Sequence, residues 1–166
     1  LYRLSIYTMY DRVILPTDGS KNSMRGVEEG LEMAKSLGVK AVGIYVVDVA
    51  EYKGLHHASI KESAKSGMKS TGHEILDEVE EMADELGVEL ERKILEGKPF
   101  EQIAAAANDT DVIYISSHGL SGFTKLFMGS TTERVIKEAE ATVAVVKGKY
   151  TVTEERDIEK DVGEKE

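Results

Sequence analysis

The residues best suited to chemistry lie in one stretch, Ser116-Ser117-His118-Gly119-Leu120-Ser121-Gly122, which continues through Phe123-Thr124-Lys125-Leu126-Phe127-Met128 to Gly129-Ser130-Thr131. It follows a short apolar run, Asp111 to Ile115, and ends where a helix is expected to begin, at Ser130. A strand, a glycine-bearing loop and a helix N-terminus together offer free backbone N–H groups to an anion. Gly119 and Gly129 lack a Cβ, so the backbone there can approach a phosphate closely. Ser130 adds a hydroxyl at the positive end of the helix dipole. It can equally cap the helix toward Glu133, and the two roles are compatible. No Gly-Lys-Ser/Thr follows the glycines, so this is not a Walker A loop. Nor is it the dinucleotide fingerprint, which would follow the first strand. The chemistry indicated is capture of a phosphate-bearing small molecule.

Other candidates carry less. Pro16-Thr17-Asp18-Gly19-Ser20 ends the first strand-like run; Thr17 and Asp18 could contact a ligand there, or Asp18 or Ser20 could simply cap the next helix. His118 could donate to a phosphate or move a proton, but no partner carboxylate can be named, so an exposed loop residue is the simpler account. Lys125 could neutralise phosphate charge or be an ordinary surface lysine. His56-His57 lack a third ligand, and adjacent side chains diverge, so a metal site is not expected. Glu78, Glu80, Glu81, Asp84 and Glu85 read as a solvated helix face. No nucleophile–base pair and no carboxylate dyad stand out, so a dedicated catalyst is not supported.

Five β-type runs must position these residues: Arg12–Pro16, Ala41–Val47, Val88–Leu95, Val112–Ile115 and Thr142–Val146. The third alternates apolar and polar residues, as a half-exposed edge strand does, while the others suit a parallel sheet covered on both faces. Helical periodicity fills the gaps. Met24, Val27, Leu31, Ala34 and Leu37 recur at three- and four-residue steps before Gly38; Ile75, Val79, Met82 and Leu86 do so before Gly87. Pro99 opens a helix with Phe100, Ile103 and Ala107 inward. Ser130 to Glu133 has capping-box spacing, ahead of inward-facing Val135, Ile136 and Ala139. Strand and helix alternate throughout, the pattern of a doubly wound α/β domain, whose ligands bind beyond the C-terminal ends of the strands. Residues 48–70 are expected to be a long polar insertion with a helical end from Ile60. The stretch from 148 onward reads as a mobile charged tail.

Bulk properties narrow the class. The 166 residues suffice for one domain with a substantial core. The net charge is −10, of which residues 150–166, with seven acids against three bases, supply −4. An acidic chain without a basic stripe argues against nucleic acid, although local N–H dipoles or a bound cation can still hold a nucleotide. No apolar run approaches a membrane span. With no cysteine and no signal-like start, a cytoplasmic location is expected.

Taken together, the chain resembles the universal stress protein family over about residues 10–147. The family's nucleotide-binding branch carries Gly-x-x-Gly-x9-Gly-Ser/Thr after its fourth strand. This chain has Ser116-x-x-Gly119-x9-Gly129-Ser130, with serine in place of the first glycine. Val13 to Ser20, Gly129 to Val135 and Thr142 to Val146 resemble the family's opening and closing segments. The resemblance implies a five-stranded parallel sheet in the order 3-2-1-4-5 with helices on both faces, an adenine-nucleotide α-hydrolase-like fold. It implies a domain over 10–148, an N-terminal extension over 1–9 and a charged tail over 149–166. It further implies an ATP or AMP site, with or without Mg2+. Pro16, Thr17 and Asp18 would line the adenosine side and Val46 would pack on adenine. Ile115 and Ser116 would close the ribose end, and Gly119, Gly129, Ser130 and Thr131 would hold the phosphates. The implied partners are the nucleotide, a second copy paired through the last strand, residues 142–146, and an unidentified protein. The implied role is nucleotide-dependent stress response or signalling, with slow hydrolysis at most. Two rivals are a nucleotide-free dimeric scaffold that has lost its site at Ser116, and a weak ATPase using Asp18 or His118.

Overall fold

The computed structural model describes residues 9–118 and 128–147. The flanking residues 1–8 and 148–166, and with them the expected extension and tail, lie outside the described residues, as do positions 119–127. The elements are β1 (Arg12–Pro16), α1 (Lys21–Leu37), β2 (Lys40–Asp48), α2 (Val49–Lys53), α3 (Ala58–Leu86), β3 (Leu90–Gly97), α4 (Pro99–Ala106), β4 (Asp111–Ser116), α5 (Ser130–Glu138) and β5 (Thr142–Val146). They form one five-stranded sheet in the order β3-β2-β1-β4-β5, and every pairing is parallel. This is the expected doubly wound architecture.

The period-2 alternation of the strands divides the core in two. Val13, Leu15 and Val112 pack with Val27, Leu31, Leu76 and Val79 beneath α1 and α3. Ile14, Ile113 and Ile115 face the other way, onto Phe100, Ile103 and Val135 of α4 and α5. The guanidinium of Arg134 lies 3.3 Å from the centroid of the Phe100 ring and joins the two helices of that layer. β3 is an edge strand with intermediate burial along most of its length, as its alternation indicates.

α1 crosses β1 and β4 unusually closely because two of its inward residues are glycines. A Cβ at Gly26 would lie 3.2 Å from the backbone nitrogen of Ser116, and one at Gly30 would overlap Leu15 Cδ2 and reach 2.9 Å from Tyr114 Cβ. Gly30→Ala is therefore expected to destabilise. Its gain of about 1 kcal/mol in helix propensity is outweighed by overpacking of about 1–3 kcal/mol or more. A lowered urea midpoint at unchanged slope would record this.

Three expectations need correction. Residues 48–70 are helical over most of their length, beyond the helical end expected from Ile60. α2 occupies Val49–Lys53, and α3 begins at Ala58 and runs unbroken for 29 residues. Lys61, Ala64, Lys65 and Met68 are half-buried at helical spacing and lead into the buried stripe Gly72, Leu76, Val79 and Ala83. That stripe starts among small and charged residues, which hides it from a hydrophobicity count. The capping box at Ser130 does not form: Gly129 is the N-cap, and its carbonyl accepts the Glu133 N–H at 3.0 Å. Glu133 instead accepts from Lys137 Nζ at 2.7 Å. Finally, Ile136 is 43% exposed, because the short α5 buries only the Thr132–Val135 face.

At the N-terminal ends of the strands, opposite the expected site, Asp111 is fully buried on β4. It accepts from Arg12 Nε at 2.9 Å, from Arg12 Nη2 at 2.5 Å and from the Asn108 N–H at 2.9 Å. The hydrogen bond to Asp111 is the main cause that raises the Arg12 pKa above its ordinary value. This bidentate pair joins β1 to β4 below the cleft.

Candidate functional site

β1, β2 and β4 end on the same side of the sheet, and strand order reverses between β1 and β4. A cleft of about 420 Å³ opens there, the place and size of a small-molecule site in a doubly wound fold. The turn after β1 contributes Pro16, Thr17 and Asp18 to its lining; β4 and the start of α5 contribute Ile115, Ser116, Gly129, Ser130 and Thr131; β2 contributes Val46. Nine of the ten expected site residues thus share one cleft. The tenth, Gly119, lies outside the described residues, as does Lys125.

The β1 turn is held by its own side chains. Ser20 caps α1 by accepting the Ser23 N–H at 3.1 Å, and Asp18 Oδ1 accepts the Ser20 N–H at 3.0 Å. Ser23 Oγ lies 3.0 Å from the Ser20 carbonyl oxygen and 2.9 Å from Thr17 Oγ1, and Thr17 Oγ1 lies 3.4 Å from Met24 Sδ, so the protons of both hydroxyls stay within this turn and α1. Thr17 Oγ1 also accepts the Gly19 N–H at 3.1 Å. The turn caps α1, as one account had it, and it also lines the cleft.

The β4–α5 junction is tied more tightly. Thr132 Oγ1 donates to the Ser116 carbonyl at 2.8 Å, and the Gly129 N–H donates to the Ser117 carbonyl at 2.8 Å. Ser116 Oγ donates to the His118 carbonyl at 2.7 Å. The chain therefore leaves β4 and re-enters α5 through touching ends, with residues 119–128 between them. A Cβ at Gly129 would lie 3.3 Å from the Ser117 carbonyl oxygen. Only a glycine allows the backbone to pass that oxygen without displacement.

Proton direction divides the hydroxyls that line the cleft. Those of Thr17, Ser23, Ser116 and Thr132 have committed their protons to protein acceptors. The side chains of Ser130 and Thr131, by contrast, make no hydrogen bond among the described residues, and they sit on the first turn of α5. Donors free for an anion are therefore concentrated at the positive end of that helix dipole.

The opposite wall is acidic. Asp18, Asp48 and Glu51 line it, and no lysine or arginine does among the described residues. Asp48 also caps α2 through the Ala50 N–H at 2.8 Å. Tyr45 completes this wall, its ring seated where a Cβ at Gly72 of α3 would come within 2.5 Å of its Cδ1. Burial raises the Tyr45 pKa above its ordinary value, helped by the nearby charges of Glu51 and Asp18. The phenol therefore stays protonated. Ile44, Pro99 and Ile103 add apolar surface.

Tyr45, Asp48, Glu51, Thr132, Pro99 and Ile103 were not singled out from the sequence. Asp48 alone had a signal, as the residue that ends β2. His118 is not part of the cleft lining. Its Nδ1 lies 2.9 Å from Ser117 Oγ, and its buried Nε2 has no partner among the described residues. His56 and His57 are exposed, and no cluster able to hold a metal occurs among the described residues.

Residues 9–147 match the model of the universal stress protein family. The chain belongs to that family. Among curated relatives, universal stress protein MJ0531 of Methanocaldococcus jannaschii is 36% identical over 141 residues, which cover 84% of this chain and 83% of the relative. The solved structure of MJ0577, from the same organism, superposes with a TM-score of 0.74 at 26% identity, covering 86% of this universal stress protein and 99% of that chain. A universal stress protein solved in complex with cAMP shares the fold with a TM-score of 0.62 at 20% identity, over 83% of this chain and 97% of the other. No helix among the described residues is long and apolar enough to cross a membrane.

Proposed function

We propose that this universal stress protein binds an adenine nucleotide, ATP or AMP, and acts as a nucleotide-dependent element of stress response or signalling. The observation that supports this most directly is the cleft itself. Residues distant in sequence, from the ends of β1, β2 and β4 and the start of α5, converge there with apolar surface on one side and free donors on the other. Val46 and Ile115 would flank the base and sugar, with Pro16, Thr17 and Asp18 on the adenosine side. Gly129, Ser130 and Thr131, with Gly119, would hold the phosphates. Because the described lining carries three carboxylates and no base, the full charge of ATP calls for an accompanying Mg2+, whereas AMP can bind without it. A homodimer through β5 fits the same reading, since that strand pairs with β4 on one side and its other edge is apolar and unpaired among the described residues.

Mass measurement of small molecules released on denaturing the purified protein, followed by calorimetric titration with AMP and ATP with and without Mg2+, tests the proposal. An adenine nucleotide in the released fraction and saturable heat are the expected results. Absence of both would leave the scaffold account in its place.

A further inference from the structure

We infer that Ser116 is a specificity-determining residue that reads a sugar hydroxyl, so that the cleft selects ribonucleotides over their deoxy counterparts. This rests on the nucleotide reading above. Ser116 stands where the nucleotide-binding branch of the family has glycine, yet its side chain does not simply fill the cleft. It is 4% exposed and lines the cavity, and its Oγ lies 2.7 Å from the carbonyl oxygen of His118. A carbonyl cannot donate, so the single hydroxyl proton must lie between these two oxygens. Toward any other partner Ser116 presents lone pairs alone.

An acceptor-only group sorts the parts of a nucleotide. Ionised phosphate oxygens also carry only lone pairs, so they gain nothing there and are repelled. A ribose hydroxyl has a proton to give and fits. Turning the serine to donate to a phosphate would leave the His118 carbonyl without this partner, so the arrangement resists inversion. The backbone on either side is pinned as well: the Ser116 carbonyl is held by Thr132 and the Ser117 carbonyl by Gly129. Beside it, on the first turn of α5, Ser130 and Thr131 retain their protons and suit the phosphates. Neighbouring groups of the site thus have opposite hydrogen-bonding sense, which sets a sugar hydroxyl against Ser116 and the phosphates against Ser130 and Thr131. A glycine at 116 would supply neither the acceptor nor the tie to His118.

The test is calorimetric titration of wild type, Ser116→Gly and Ser116→Ala with AMP, 2′-deoxyAMP and 3′-deoxyAMP. Wild type is expected to bind AMP about fivefold tighter than the form that lacks the contacted hydroxyl, the usual worth of one hydrogen bond. Both variants should bring that ratio to near one. A merely structural role for Ser116 would weaken all three ligands alike and leave the ratio untouched, and that result overturns the inference. So does a wild-type ratio near one for both deoxy forms. If wild type binds neither AMP nor Mg2+-ATP, the nucleotide reading itself falls, and the two failures are thereby distinguished.

Discussion

Gly129→Val is expected to weaken nucleotide binding about 100-fold while leaving the fold intact. The Gly129 backbone has φ −59° and ψ 142°, values open to any residue, so the substitution introduces no backbone strain. The obstacle is local. A Cβ there lies 3.3 Å from the Ser117 carbonyl oxygen and 3.7 Å from His118 Cα. Both are main-chain atoms, and the same carbonyl accepts the Gly129 N–H at 2.8 Å. The two valine methyl groups must either push this junction apart or project into the cleft, over the N–H groups that begin α5. Either way the close approach of a phosphate is lost. A loss of about 100-fold in affinity corresponds to about 2.7 kcal/mol. Calorimetry with AMP and Mg2+-ATP measures it, and the circular dichroism spectrum checks the fold. Affinity within about threefold of wild type would show that the phosphates do not use this turn.

Arg12→Ala should have the largest effect on stability, at about 3–5 kcal/mol. The asymmetry of the pair decides which partner matters more. The side chain of Asp111 is inaccessible, whereas that of Arg12 is 20% exposed. Removing the guanidinium leaves a buried carboxylate with the Asn108 N–H as its remaining hydrogen bond in this network. Removing the carboxylate leaves an arginine that can turn toward water, so Asp111→Asn should cost less. The double replacement should cost less than the sum of the singles, because the stranded charge is gone. Urea midpoints measure all three. Since the pair sits at the end of the sheet opposite the cleft, nucleotide affinity should not change in correctly folded protein. A cost below about 1 kcal/mol for Arg12→Ala would show that water replaces the guanidinium.

The fold was readable where one local signal agreed with its burial. In α1 the stripe of Val27, Leu31 and Ala34 is bounded by a Ser20 cap and Gly38, and all of these perform as their spacing indicates. In the first half of α3, Ser63, Ser66, Gly67 and Lys69 dilute the pattern. Lys61, Ala64, Lys65 and Met68 are half-buried there, and Lys65 pairs with Glu96 of β3 at 2.7 Å, a tertiary contact that no local window contains. Ser130 and Glu133 matched a capping pattern, but the chain enters the helix one residue earlier and Lys137 takes the glutamate. The cleft was foreseen along the motif and missed on its acidic wall. Glu51 reaches it from α2, and Tyr45 is set by its contact with Gly72, across two elements far apart in sequence. The direction of the Ser116 proton was equally hidden, because it depends on where the His118 carbonyl points.

The 29 residues of α3 span about 43 Å at 1.5 Å per residue, against about 30 Å for the nine residues of β2. Its buried residues all lie from Gly72 onward. One uninterrupted helix should therefore exchange its amide hydrogens in two regimes. Amides after Leu76 should open only when the whole domain unfolds, whereas those between Ile60 and Thr71 should exchange by local fraying, at rates indifferent to changes in global stability such as Arg12→Ala. The segment before Gly72 would then be the part of this helix whose order can change without cost to the core.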